Sequence, residues 1–175
     1  MVMSHESKHY AWSGAMTTSD VIITGMGIIC ALGEQKNTFW NALKRGKCGL
    51  DIVDLFDVSG YRSSVGGQVR DVDFASRFSP RERRRLGRCD QLGLWAAHEA
   101  LTEAKITERK LPPDRIAVVM GAGAGGVLEA ERYRRRLYEG KTRIRPSLLM
   151  PFPACNLTDA IGNLCGFCGP RSTIA

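Results

Sequence analysis

The hydrophobic pattern is organised by two apolar runs and one long helical stripe. Val21–Ile23 and Ile28–Cys30 flank Thr24-Gly25-Met26-Gly27. An uninterrupted apolar run of this kind predicts a strand buried on both faces under covering helices. The two glycines predict close approach of a neighbouring backbone. Ile116–Met120 predicts a second buried strand. Between the two runs, Cys89, Leu92, Ala96, Ala97, Ala100, Leu101 and Ala104 recur at steps of three and four, the spacing of a helix face. Its small residues predict tight packing, and Glu99 and Glu103 are expected on its outer face.

The weaker signals complete an order of elements. Glu34–Arg45 predicts a helix, with Phe39 and Leu43 one turn apart and Gly46 as the stop. Asp51–Arg70 reads as irregular chain with turn signals. Ser79-Pro80-Arg81-Glu82 has the marks of a helix start, with Ser as the cap, Pro in the first turn and an acid following. Val127–Glu139 predicts a helix ended by Gly140. Lys141–Pro153, with three prolines and an apolar middle, predicts a loop packed over something rather than free in water. A short helix over Asn156–Leu164, a Gly169-Pro170 turn and a strand over Arg171–Ala175 close the sequence. The succession predicts an α/β fold with a largely parallel, helix-covered sheet.

Composition narrows the class. The chain has 175 residues, 43% hydrophobic and 25% charged, ordinary for a globular domain with a core. No apolar run reaches the roughly 18 residues of a membrane helix. Residues 1–19 are polar without an apolar signal segment, and are expected to be a loose extension before a domain over 20–175. A cytoplasmic setting follows, in which the six cysteines stay reduced. The net charge of +7 concentrates in Arg81–Arg88, Arg132–Arg136, and Lys141, Arg143 and Arg145. Such runs are either solvated helix faces or a surface for an acidic partner. No nucleic-acid motif accompanies them, so nucleic acid is disfavoured as that partner.

Three candidate motifs are weak. Gly121–Gly126 follows a strand and precedes a helix, as phosphate loops do. It lacks the Gly-Lys-Ser/Thr of one phosphate loop and the spacing and acidic partner of the other. A tight strand-to-helix turn is the better reading. Cys165-Gly166-Phe167-Cys168 is a C-x-x-C beyond the end of a helix, whereas redox pairs open one. With Cys155 it still lacks a fourth zinc ligand, so buried packing is expected for these thiols and no metal or cofactor is implied. His5, His9 and His98 form no constellation.

Taken together, Val21–Ile29, Leu32-Gly33, Phe39-Trp40, Gly46–Gly49, Phe56–Tyr61, Gly66–Val69, Arg81–Arg88, Val119–Gly126, Pro151, Asn156 and Gly169-Pro170 resemble, in order and spacing, the elongating β-ketoacyl-acyl-carrier-protein synthases. The resemblance implies the first, incomplete half of a thiolase-like fold. It implies decarboxylative condensation of an acyl thioester with a malonyl carrier in fatty-acid biosynthesis, a homodimer for the full-length protein, and an acyl carrier protein as partner. No membrane partner is implied.

It also implies that the nucleophilic cysteine, both catalytic histidines and the lysine lie beyond Ala175, about three residues on for the cysteine, so that the 175 residues alone are inactive. Ala124 matches a position lining the acyl tunnel, and Leu148 and Leu149 match the apolar loop at the tunnel and dimer boundary. Arg81, Arg84 and Arg85 match positions that meet the acidic carrier, with Lys141 and Arg143 near a second such patch. Cys155, Cys165, Cys168 and Gly87 depart from the usual residues. A non-catalytic, chain-length-factor-like polyketide synthase subunit is the alternative that the resemblance allows.

Overall fold

The computed structural model describes residues 21–70, 72–106, 108–123 and 125–174. Helix α1, Lys36–Lys44, leads to a short antiparallel hairpin, β1 (Leu50–Ile52) with β2 (Val65–Gly67), paired Leu50↔Gly67 to Ile52↔Val65. A single 3-10 turn at Phe74–Ser76 and the four-residue α2, Pro80–Arg83, precede the long α3, Arg88–Glu103. Strand β3 (Val118–Gly121), helix α4 (Val127–Tyr138), a 3-10 turn at Pro146–Leu149, helix α5 (Asn156–Cys165) and strand β4 (Arg171–Ile174) follow.

Helix starts are set by local hydrogen bonds. At α2, Glu82 N donates to Ser79 Oγ at 3.3 Å, and Ser79 N and Oγ each donate to the Glu82 carboxylate at 2.7 Å. The reciprocal pair satisfies amides that the helix itself leaves free. The Ser79 hydroxyl holds Glu82 below the usual carboxylate range. At α3 the cap is a glycine, and the Asp90 carboxylate reaches back to accept from Gly87 N at 2.9 Å.

The core lies between α3, α5 and β3. Leu94 and Trp95 of α3 meet Leu157 and Ile161 of α5, Val118 of β3, and Phe74, Phe78, Leu86 and Phe167. Phe74 stands edge-on to Trp95 at 5.9 Å, and Trp95 Nε1 donates to Glu34 O at 2.8 Å, so the buried indole is satisfied. Gly93 faces the Leu157 side chain with no space for a side chain of its own.

β3 and β4 pair in parallel, Val118↔Arg171 through Gly121↔Ile174. Helix α5 packs on both strands. The opposite face is open, with Val119 61% and Ile174 64% exposed. The second apolar run is therefore a strand covered on one face, not on both.

The first run is not a strand. Residues 21–29 carry no strand pairing, and Val21 is 96% exposed. The segment rides along α3 instead. Gly25 and Gly27 lie against the backbone of Ala100 and Ala96, where any Cβ would collide. Met26 N donates to Glu103 at 2.9 Å and Ile28 N to Glu99 at 3.0 Å. Glu99 also accepts from Lys36 N at 2.8 Å, and Glu103 pairs with Lys36 Nζ. Glu99 and Glu103 thus face the 25–36 segment and supply the acceptors that a neighbouring strand would have given. The predicted outer face of α3 is occupied.

Candidate functional site

The Gly-Pro turn before β4 is anchored on the chain that leads into β3. Cys168 N and Gly169 N both donate to Pro113 O, at 2.9 and 3.1 Å. Gly169 sits against Ile116 O and Asp114 O, leaving no room for a Cβ. The turn therefore docks on the lead-in to β3 and sets the parallel register, with Val118 N donating to Pro170 O at 2.9 Å.

Helix α5 fixes β4 from the side. Thr158, 1% exposed, shares a 2.7 Å hydroxyl contact with Thr173. The Arg171 guanidinium lies over Gly162 and donates to Asn163 Oδ1 at 3.0 Å, to Phe167 O at 2.9 Å and to Asp159 at 3.3 Å. Its planar fork bridges the Phe167 carbonyl, two residues past α5, and two of the helix's own side chains.

Asp90 is the other buried polar anchor, 3% exposed. Its carboxylate accepts from Asn156 Nδ2 at 2.6 Å and from Gly87 N, while Asn156 Nδ2 also reaches Arg85 O at 3.4 Å. Burial pushes Asp90 up from the usual carboxylate range, against the pull of these two donors; nearby Glu129 pushes the same way. Glu129 receives Arg88 N at 3.4 Å and comes close to Gly87, so α4 is tied to the same helix start.

The residues singled out from sequence are distributed around this framework. Ala124 lies outside the described residues. The turn that contains it is tight at its far end: Gly125 has φ +44° and packs on Phe152 O, and Gly126 N donates to Pro151 O at 2.9 Å. Leu148 is half-buried and Leu149 exposed on the 3-10 turn, where Leu149 joins Val127, Ala130, Tyr138 and Phe152 around an apolar groove of about 740 Å³ beside α4. Arg81 on α2, and Arg84 and Arg85 just past it, are exposed. Arg85 alone enters the cleft between α2 and α5, beside Glu82, Met150 and Asn156. Lys141 is ion-paired with Glu139 at 2.9 Å, and Arg143 is exposed. Neither Lys141 nor Arg143 lines the α2–α5 cleft or the α4 groove.

The thiols differ from expectation. Cys155, Cys165 and Cys168 are exposed, not packed in a core. Cys165 is the last residue of α5, followed by Gly166 at φ +70°, so the C-x-x-C starts on the final helical residue rather than beyond the helix. Desolvation at that helix end pushes the Cys165 thiol up. Among the described residues no three His, Cys, Asp or Glu side chains converge as metal ligands.

Sequence reasoning did not find the Arg171 fork or the Thr158–Thr173 contact. Neither has a local signature, since each depends on α5 and β4 packing side by side. Asp90 carried one: an acid three residues after a possible cap.

Residues 18–175 match the family model described as Beta-ketoacyl synthase, N-terminal domain. The chain is 28% identical over 142 residues to a 3-oxoacyl-[acyl-carrier-protein] synthase 2 of Synechocystis sp. (strain ATCC 27184 / PCC 6803 / Kazusa), covering 81% of this chain and 34% of that protein. It is 34% identical over 118 residues to the tetracenomycin polyketide synthase ketoacyl synthase beta subunit of Streptomyces glaucescens, covering 67% and 29%. In structure it resembles the ishigamide ketosynthase/chain length factor, with a TM-score of 0.76 at 23% identity over 88% of this chain and 39% of that one. The chain spans about a third of the length of these curated relatives.

Proposed function

The chain belongs to the beta-ketoacyl synthase family through its N-terminal domain, and on that premise we propose that it supplies the N-terminal part of a 3-oxoacyl-acyl-carrier-protein synthase of fatty-acid biosynthesis, built on the first half of a thiolase-like fold. The observation that carries this reading is the family match running unbroken to β4. In the proposed reaction a cysteine thiolate takes the acyl group from a carrier thioester. The malonyl carrier then loses carbon dioxide, and the resulting carbanion attacks the acyl-enzyme while hydrogen-bond donors hold the developing charge. The described residues contribute seating, not the reacting groups: the Gly169-Pro170 turn, Thr158 and Arg171 hold β4 in register beside β3.

In this reading Leu148 and Leu149, with Ala124, line the acyl tunnel. Arg81, Arg84 and Arg85, with Lys141 and Arg143, face an acyl carrier protein, and the full protein is a homodimer. No helix among the described residues is long and apolar enough to cross a membrane, which suits a reaction between carrier-bound substrates in the cytoplasm. The 175 residues alone are expected to give no condensation product.

The decisive experiment grafts residues 20–175 in place of the matching third of the Synechocystis relative and assays condensation of acyl and malonyl carriers. Product at a substantial fraction of the parent rate supports the reading. A folded, dimeric chimera with no product sinks it. The second reading, a non-catalytic subunit resembling chain length factors, rests on the 34% identity to the tetracenomycin beta subunit. The residue encoded three positions after Ala175 separates the two: cysteine for the synthase, another residue for the subunit.

A further inference from the structure

Cys30 and Cys48 line one open cleft of about 530 Å³, bounded also by Leu32, Gly49, Gln68 and Val72. Two local contacts bring their segments together. Cys30 and Gly33 close a tight turn on themselves, Cys30 N to Gly33 O at 2.9 Å and Gly33 N to Cys30 O at 3.1 Å. Gly49 then lies directly on that turn: a Cβ there would stand 3.1 Å from Ala31 and 3.2 Å from Leu32. The hairpin backs the same contact, with Gly67 facing Ala31 at 3.5 Å by the same measure. Cys30 and Cys48 are the immediate neighbours of the touching residues. The Cys48 sulfur accepts from Leu50 N at 3.5 Å.

The two thiols differ in access, Cys48 exposed and Cys30 half-buried. That asymmetry is what a peroxide-reactive pair needs: an outer sulfur that meets the oxidant and an inner one that resolves it. Three of the other four thiols are less suited. Cys165 and Cys168 lie at or beyond a helix C-terminus, where the dipole opposes a thiolate. Cys89 stands beside Asp90 and Glu129, and desolvation together with these carboxylates pushes it up. A resident metal is not favoured at the pair, since no third ligand converges there among the described residues.

We propose that Cys30 and Cys48 form a dithiol site oxidised by hydrogen peroxide to an intramolecular disulfide. The Cys48 thiolate attacks one peroxide oxygen, the O–O bond breaks, and a sulfenic acid and hydroxide form. The Cys30 thiolate then attacks the sulfenic sulfur and expels hydroxide. Two thiol protons convert the two hydroxides to water, so that two thiols and one peroxide give one disulfide and two waters. The bond links the turn that leads into α1 to the entry of the β1–β2 hairpin. It therefore encloses α1 in a covalent loop. This chemistry stands apart from condensation and holds whether or not the chain serves a synthase.

The test treats the reduced 175-residue chain with graded hydrogen peroxide, quenches free thiols by alkylation, and maps the peptides by mass spectrometry without reduction. Cleavage after Lys36, Lys47 and Arg62 puts Cys30 and Cys48 on separate peptides. The expected result is a Cys30–Cys48 linked pair, formed before any other cysteine pairing and lost in Cys48→Ser. The same treatment in concentrated urea should abolish the preference, because the fold creates the proximity. Overturning results are no linked pair in the folded chain, pairing of Cys48 mainly with another cysteine, or an equal yield of the pair in urea.

Discussion

Asn156 Nδ2 donates to the Asp90 carboxylate at 2.6 Å, and this contact joins the first turn of α5 to the first turn of α3. Asp90 also holds Gly87 N. Asp90→Ala leaves the Gly87 amide without its acceptor and Asn156 with only the long contact to Arg85 O. Stranding buried donors costs about 1–3 kcal/mol. Urea unfolding should show a loss in that range; a change under about 0.5 kcal/mol, the scale of an ordinary surface substitution, would mean the contact carries no stability.

The same residue gives a pH dependence of definite sign. Burial raises the Asp90 pKa in the folded state above its unfolded value, near 3.9 for a free aspartate. The folded chain therefore binds that proton more tightly than the unfolded chain. The resulting stabilisation is full below the unfolded pKa and is lost as pH rises through the folded one. Asp90→Asn has no such proton. The stability of the parent minus that of Asp90→Asn should fall as pH rises above about 4 and level off once Asp90 is ionised. A difference that grows with pH contradicts the assignment.

Arg171 and Gly162 form a testable pair. The guanidinium occupies the space where a residue-162 side chain would stand. Gly162→Ala is expected to destabilise the parent. In the Arg171→Ala background the obstruction is gone, and the same substitution should become neutral or stabilising by about 0.5–1 kcal/mol through helix propensity. The double-mutant cycle measures the coupling. Equal effects in both backgrounds would place Arg171 away from Gly162.

Glu99 accepts from Ile28 N and Lys36 N, and Glu103 from Met26 N. Glu99→Ala should release the 25–36 segment from α3 while leaving the α3–α5 core in place. Hydrogen exchange at Ile28 and Lys36 should rise well beyond any change at Leu94 or Ile161. Unchanged protection at Ile28 would show that the segment is held by other contacts.

Carrier docking is tested by charge reversal. Replacing Arg81, Arg84 and Arg85 together by Glu should weaken binding of an acyl carrier protein at low salt by at least about tenfold, near 1.4 kcal/mol. The loss should appear mainly in the association rate and shrink with added salt, as for steering by exposed charge. Reversal of Lys141 and Arg143 measures the second patch separately. Equal binding by all three proteins in surface-plasmon measurements would leave both patches as solvated faces.

What was legible in the sequence was whatever has a local cause. The α3 helix, the Ser79 cap and the stop signals at Gly46 and Gly140 act within a few residues, and each element appears where its pattern put it, although the stripe drawn for α3 took in exposed Cys89 and passed over Leu94 and Trp95, its buried apolar residues. The β1–β2 hairpin was missed because each strand is three residues long, and β1 is exposed throughout, too short for an alternation to show. Val21–Cys30 misled for a different reason. Its composition suits a strand, but strand formation needs a partner backbone, and here side-chain carboxylates from α3 take two of its amides. Periodicity placed Glu99 and Glu103 away from the helical core and said nothing of what else lay beside them. The candidate site divides in the same way. The run Arg81–Arg88 is visible in composition, and the family resemblance picked Arg81, Arg84 and Arg85 out of it, whereas the Arg171 fork required knowing which helix lies next to β4.

The Thr158–Thr173 contact has a property that the Asp90–Asn156 contact lacks. Either hydroxyl can donate, so the pair has no proton to gain or lose across ordinary pH. Arg171 adds bonds to a side-chain amide and a carbonyl, which are also indifferent to pH, and one to the Asp159 carboxylate, which carries charge. One helix is thus tethered by a titrating carboxylate at its start and, along the strand, by a hydroxyl pair with no proton to lose. As pH rises through the Asp90 titration, the seating of α5 on α3 should weaken while the Thr158–Thr173 contact is unchanged, so the parallel strand pair should outlast the helix pair.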